Sequence, residues 1–272
     1  MTADERRIEI RGDDADVSGA AHSDRIVLRE TQPWSRSVIA LLKHLEQVGF
    51  DRAPRAVGDG FAPDGREAVT YIPGSSPHPK AWEDQALVAL GTLLRRLHGA
   101  TASFEVPDDV CWQPWFIRDL TGKHPVIGHG DTGPWNIVAQ GGIPVALIDW
   151  EFAGPVDAIW ALAETAWLKA QLHDDDVAER FELPSAERRA HQVRLLVDAY
   201  GLGMSERVGF VDKMAEIAVH SARAEAIQYE VTGDSTIAVD PSGYPVMWAI
   251  TWRARAASWI FRHRELLERA LG

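Results

Sequence analysis

The stretch that most constrains this chain is Val126-Ile127-Gly128-His129-Gly130-Asp131-Thr132-Gly133-Pro134-Trp135-Asn136-Ile137-Val138, with Gly141-Gly142 and residues 143–148 behind it. An apolar run leads into a polar loop of the form H-x-D-x4-N, and a second apolar run leaves it. Gly141-Gly142 suits a two-residue hairpin turn, in which both central residues take positive φ. The returning strand, 143–148, ends at Asp149-Trp150-Glu151. A hairpin brings its two ends to one edge, so Asp131, Asn136 and Asp149 are expected to converge there.

Two carboxylates and an amide oxygen at one point suit phosphoryl transfer, which is catalysed mainly by positioning and charge neutralisation. One carboxylate has to orient an acceptor hydroxyl and take its proton, and Asp131 fits that base. A second carboxylate and a side-chain oxygen have to hold Mg²⁺, a hard ion that prefers oxygen ligands. Asn136 and Asp149 fit those ligands, while His129 reads as an organiser of the loop. Taken singly, each has a plainer reading: a packed histidine, two turn residues and a helix N-cap. Their joint order, strand, loop, strand and acidic pair, carries the expectation.

The rest of the chain sets bounds. With 272 residues, 46% of them hydrophobic, it can bury one large core or two smaller ones. Acids outnumber bases 40 to 28, a net charge of −12 that repels nucleic acid and anionic membranes and leaves neutral or cationic partners. A single cysteine, Cys111, excludes an internal disulfide and a thiolate metal cluster. Residues 1–16 are charged and lack an apolar signal core, and no apolar run approaches the roughly 20 residues of a membrane helix. A soluble, cytoplasmic protein is expected.

Periodicity outlines two lobes. Residues up to about 17 look weakly structured, and 25–29 read as a strand. A helix begins with Ser35 as N-cap, carries Val38, Leu41, Leu42, Leu45 and Val48 on one stripe and closes at Gly49. Residues 68–72 read as a strand ended by Pro73-Gly74, and 73–79 as a linker. Helices are expected over 82–98, 156–171, 185–200, 205–230 and 246–271. The fold class is therefore α+β, with a short β-rich lobe over 1–73 and a larger, mostly helical lobe over 74–272.

The chain resembles the aminoglycoside phosphotransferase family, relatives of choline kinase with a protein-kinase-like fold. The matching residues are His129-Gly130-Asp131-Thr132-Gly133-Pro134-Trp135-Asn136 and Leu147-Ile148-Asp149-Trp150-Glu151-Phe152, with Gly154-Pro155 after them. Weaker similarity runs from about residue 25 to 170. The resemblance implies that Asp131 is the catalytic base, that Asn136 and Asp149 bind Mg²⁺, and that Glu151 assists the metal through water. It also implies ATP or GTP as donor, a small-molecule hydroxyl as acceptor, and Arg29, Tyr71 and Ile72 at the nucleotide. Arg29 stands where the family has a phosphate-pairing lysine and differs in geometry, a planar fork for a point donor.

Three departures from the family pattern accompany it. No glycine-rich phosphate loop precedes Arg25, and residues 17–22 are a poor substitute. Glu46, the only acid on the helix after Arg29, comes late and reads as a surface residue. The family's Asp-Leu-Ala buttress is replaced by Trp160-Ala161-Leu162-Ala163, with Asp157 one turn earlier to stand in.

Among the remaining features, Trp112, Trp115, Trp135 and Trp150 flank the loop and are expected to pack. Asp174-Asp175-Asp176 is expected to be solvated. Glu225 and Glu230 are the acids considered for attracting a cationic acceptor. The leading reading is a kinase for an aminoglycoside or similar cationic antibiotic. The alternatives are a kinase for a metabolite amino alcohol, a degenerate kinase fold that binds nucleotide or a partner without catalysis, and a metal-dependent hydrolase using His129, Asp131 and Asp149.

Overall fold

The structure, a computed structural model, describes residues 9–11, 25–108, 111–236, 238–241 and 243–272. Residues 17–22, weighed above as a stand-in for a phosphate loop, lie outside them.

The first part of the chain is a four-stranded antiparallel sheet. It is built from β1 (Glu9–Arg11), β2 (Ile26–Arg29), β3 (Ala56–Phe61) and β4 (Glu67–Thr70), in the order β1-β2-β4-β3. Between β2 and β3 runs α1 (Ser35–Gln47), which buries Val38, Leu41, Leu42 and Leu45. Ser35 is the first residue of α1, and its hydroxyl accepts from the Gln32 N–H. Strand β3 was not legible in the sequence. Its Ala-Val-Gly-Asp-Gly-Phe run lacks a β pattern, and its pairing with β4 is irregular. Gly60 is required there, because a Cβ would come 2.4 Å from the Ile39 side chain.

The larger part opens with α2 (Asp84–Thr101). Two short antiparallel pairs follow: β5 (Pro125–Gly128) with β8 (Gly154–Asp157), and β6 (Ile137–Gln140) with β7 (Ile143–Leu147). The segment expected as a linker lies along β6: Ser75 and Ala139 exchange backbone hydrogen bonds, and the Ser76 hydroxyl donates to the Pro134 carbonyl at 2.7 Å. The remaining chain is helical: α3 (Ala158–Lys169), α4 (Asp175–Arg180), α5 (Ala186–Tyr200), α6 (Met204–Arg207), α7 (Phe210–Gln228), α8 (Val246–Arg262) and α9 (Arg264–Leu271).

Helix α3 runs through the middle of this bundle, and every one of its residues is buried. Each of the last two expected helices is split. Gly209, at φ 75, separates α6 from α7, and the chain turns at His263 between α8 and α9. The acidic triplet is not simply solvated. Asp174 caps α4 and pairs with Arg255, while Trp259 donates its indole N–H to Asp175 at 2.8 Å, so the triplet ties α4 to α8. No helix among the described residues is long and apolar enough to cross a membrane.

Candidate active site

Strand pairing determines where the polar loops emerge. Gly128 is paired with Gly154 and Ile137 with Leu147, so the loop 129–136 and the turn 148–153 leave at the same edge. Gly141 and Gly142 take φ of 57° and 79°, closing the hairpin as its sequence requires. The two loops are then cross-tied. The Ile148 N–H donates to the Asn136 carbonyl at 3.0 Å, and buried His129 donates from Nε2 to the Ile148 carbonyl at 2.8 Å. Burial holds the His129 pKa below its usual value, which favours the neutral ring this contact uses. Gly130, at φ 83, cannot be replaced: a Cβ would stand 1.9 Å from the Phe152 carbonyl oxygen.

Asp131 is held by three donors. Its Oδ1 accepts from the Gly133 N–H at 2.9 Å, and its Oδ2 accepts from Asn136 Nδ2 at 2.9 Å and from the Trp135 indole at 3.4 Å. Asn136 Nδ2 also donates to the Asp131 carbonyl at 3.1 Å. With its amide protons turned to Asp131, the remaining polar atom of Asn136 is Oδ1, a hard oxygen. Asp149 follows β7 at φ 63, a left-handed conformation that Asp tolerates better than most residues. Its carboxylate is ion-paired with Arg29 of β2.

Above this edge opens a cleft of about 780 Å³ including its mouth. Val27, Val38, Leu42, Val69, Ile148 and Trp150 give it apolar walls, while Arg29, Asp149 and Glu151 line its polar side, with Tyr71 and Ile72 on its rim. The Tyr71 N–H is already spent on the Arg25 carbonyl at 2.9 Å. The donors Asn136 Oδ1, Asp149 and Glu151 suit Mg²⁺, which is held by one or two carboxylates plus substrate phosphates. A cation, the Arg29 guanidinium, already stands against Asp149, so the position accommodates positive charge.

The other sequence candidates separate. Asp157 is not brought to the loop. It caps α3 through the Ile159 and Trp160 N–H groups and accepts from the His124 N–H, at the far end of β8. Glu46 is a surface residue, 3.6 Å from Arg55. Glu225 is buried in an ion pair with Arg253 at 2.7 Å and accepts from the Tyr244 hydroxyl; Glu230 is exposed beyond the end of α7. Of the flanking tryptophans, Trp115 donates to the Gly130 carbonyl and Trp150 is buried against His129, whereas Trp135 is 43% exposed.

Sequence reading missed Glu164 and Lys169. Both are charged residues in a helix that, Thr165 aside, is otherwise apolar, which was the available signal. Thr165, beside Glu164, donates to the Ala161 carbonyl at 2.8 Å and meets the Thr132 hydroxyl at 2.8 Å. The Thr132 N–H faces the Glu164 carboxyl. Burial, with Asp131 nearby, pushes the Glu164 pKa up to about 8, and burial pulls that of Lys169 down to about 7.

Comparison with known proteins decides the family. The APH family model, described as the phosphotransferase enzyme family, matches residues 104–196, which span the 129–136 loop, β8 and α3. The trifolitoxin immunity protein of Rhizobium leguminosarum bv. trifolii is 53% identical over 246 residues, 90% of this chain and 92% of that protein. This chain belongs to the phosphotransferase enzyme family. Among solved structures, the amicoumacin kinase hAmiN in complex with AMP-PNP, Ca²⁺ and Ami is similar with a TM-score of 0.60, at 13% identity, covering 93% of this chain and 88% of that one. Choline kinase from Cryptosporidium parvum Iowa II gives 0.57 at 9% identity, covering 99% and 92%. At such identities the likeness establishes the family's two-lobed, kinase-like α+β fold.

Proposed function

We propose that the protein transfers the γ-phosphoryl group of ATP or GTP to a hydroxyl of a small antibacterial molecule, with Mg²⁺ as the metal. The observation that carries this reading is the shared edge at which the loop of Asp131, clasped by Asn136, is cross-tied to the turn of Asp149, which lines an apolar-walled cleft. The apolar walls suit a purine, with Tyr71 and Ile72 at its rim, and Arg29 suits the phosphates. Asp131 orients the acceptor hydroxyl and takes its proton as the oxygen bonds to the γ-phosphorus and the bond to the nucleoside diphosphate breaks. Mg²⁺, held by Asn136 and Asp149 with Glu151 acting through water, neutralises phosphate charge. His129 keeps the two loops in register.

The name of the 53% identical relative, an immunity protein, supports an acceptor of the toxin or antibiotic class and hence a role in resistance. A reading that relied on Glu225 to attract a polycation loses support, because Arg253 neutralises that acid. A protein using nucleoside triphosphate in this way works in the cytoplasm. Mg²⁺-dependent turnover, wild type against Asp131→Ala, across aminoglycosides, peptide antibiotics and amino alcohols tests the proposal. Stimulation by one acceptor class, lost in the variant, is expected; nucleotide binding without stimulation by any acceptor would favour a non-catalytic role.

A further inference from the structure

The Lys169 ammonium is buried, at the last residue of α3, and no hydrogen-bond acceptor reaches it. No acid among the described residues hydrogen-bonds to it either, although Asp131 and Glu164 both act on its charge. Burying an ammonium with no partner costs several kcal/mol by order of magnitude, and Asp131 and Glu164 are the groups that favour its charged form against that cost. The residue on the catalytic loop that feels this charge is Asp131. Helix α3 is anchored to that loop one turn away, through Thr165 and Thr132.

Phosphoryl transfer poses a problem that a cation at this place relieves. The Asp131 carboxylate has to stay close to a triphosphate that carries several negative charges, and like charges at short range in a dry site repel strongly. Asn136, Trp135 and the Gly133 N–H fix the carboxylate but add no full positive charge. The loop has Gly133 two residues after the aspartate and no basic residue between 129 and 136.

We propose that Lys169 is a positioning residue for phosphotransfer, which acts through Asp131 by placing a buried positive charge near the carboxylate, so that it tolerates the approach of the γ-phosphate. This rests on the reading of Asp131 as the base. Lys169 is buried and does not line the cleft, so its removal should slow the step without weakening nucleotide binding. Glu164, which faces the Thr132 N–H, completes the buried group from the same helix, and Arg253 of α8 acts on Glu164 in turn.

The test is steady-state Mg²⁺-dependent ATP hydrolysis, with water as acceptor, alongside calorimetric titration of AMP-PNP. Lys169→Met should lower kcat about tenfold or more, with AMP-PNP affinity within about twofold and with Lys169→Arg restoring most of the rate. An unchanged kcat in folded Lys169→Met, or a fall in kcat matched by an equal loss of AMP-PNP affinity, would overturn the proposal. Should Lys169→Met fail to fold, Lys169→Met with Glu164→Gln removes both buried titratable groups and with them the lone Glu164 carboxyl that the single variant strands. That double variant should still be slow, and recovery of wild-type kcat would refute the role. Asp131→Asn runs beside these: wild-type hydrolysis in it sinks the reading of the base, whatever Lys169 does.

Discussion

The guanidinium of Arg29, on β2, is ion-paired with the carboxylate of Asp149, 120 residues later at the end of β7. This contact joins the first sheet to the turn that follows the β6–β7 hairpin. It also answers a question left by the sequence, since the acid that faces Arg29 is not on α1. Nucleotide phosphates and a metal ion would each offer one of these two residues a new partner.

Arg29→Met should therefore weaken AMP-PNP binding by roughly tenfold, about 1.4 kcal/mol. Arg29→Lys should fall between, because it keeps the charge and loses the fork. Titration calorimetry in the presence of Mg²⁺ checks both. Unchanged affinity in Arg29→Met would remove Arg29 from the nucleotide site.

Asp131→Asn should lose on the order of 10²–10⁴ in turnover while keeping nucleotide affinity. The side chain keeps one oxygen for the Gly133 N–H but loses the acceptor that Asn136 and Trp135 use. Matching thermal melts for variant and wild type, together with the rate, separate lost chemistry from lost structure.

Arg253 and Glu225 form a buried pair between α8 and α7, 2.7 Å apart. Arg253→Met strands Glu225 and should cost about 3–5 kcal/mol in urea denaturation. Adding Glu225→Met should recover a large part of that loss. If Arg253→Met alone left stability unchanged, the pair would be solvated.

Gly91 marks the crossing of α2 and α5. A Cβ there would lie 2.3 Å from the Leu196 carbonyl oxygen and 3.0 Å from the Ala199 Cβ. Gly91→Ala should destabilise by about 1–3 kcal/mol despite the better helix propensity of alanine. The midpoint of chemical denaturation measures it.

His98 is buried against the Tyr200 hydroxyl, and burial lowers its pKa from 6.5 to about 4. The folded state thus holds this ring neutral where the unfolded chain protonates it. Stability linked to His98 is full above pH 6.5 and falls as the pH drops from 6.5 towards 4, by up to about 3 kcal/mol. His98→Gln should flatten that part of a plot of unfolding free energy against pH. An equally steep plot in the variant would exclude His98 as the source.

How much of this was legible follows local rules. The meeting of the two polar loops could be read because its information is contiguous: a Gly-Gly turn sets the hairpin, and the hairpin brings Asn136 next to Ile148. Strand β3 was hidden because Gly58 serves a positive φ and Gly60 a close approach to Ile39 of α1, and neither makes a strand pattern. Asp157 was assigned to the wrong place because sequence spacing does not say which end of a short strand meets the loop. Glu164 and Lys169 were missed for a different reason. Their significance depends on α3 being enclosed by other elements, and only the packed fold supplies that enclosure.

Transfer of labelled γ-phosphate from ATP to a hydroxyl compound, with product identified by mass spectrometry, tests the central claim most directly. The account predicts a singly phosphorylated, hydroxyl-linked product from one acceptor class, dependent on Mg²⁺ and absent with Asp131→Asn. Nucleotide that binds in the cleft while the label never leaves it except to water, across toxins, antibiotics and amino alcohols alike, would contradict it.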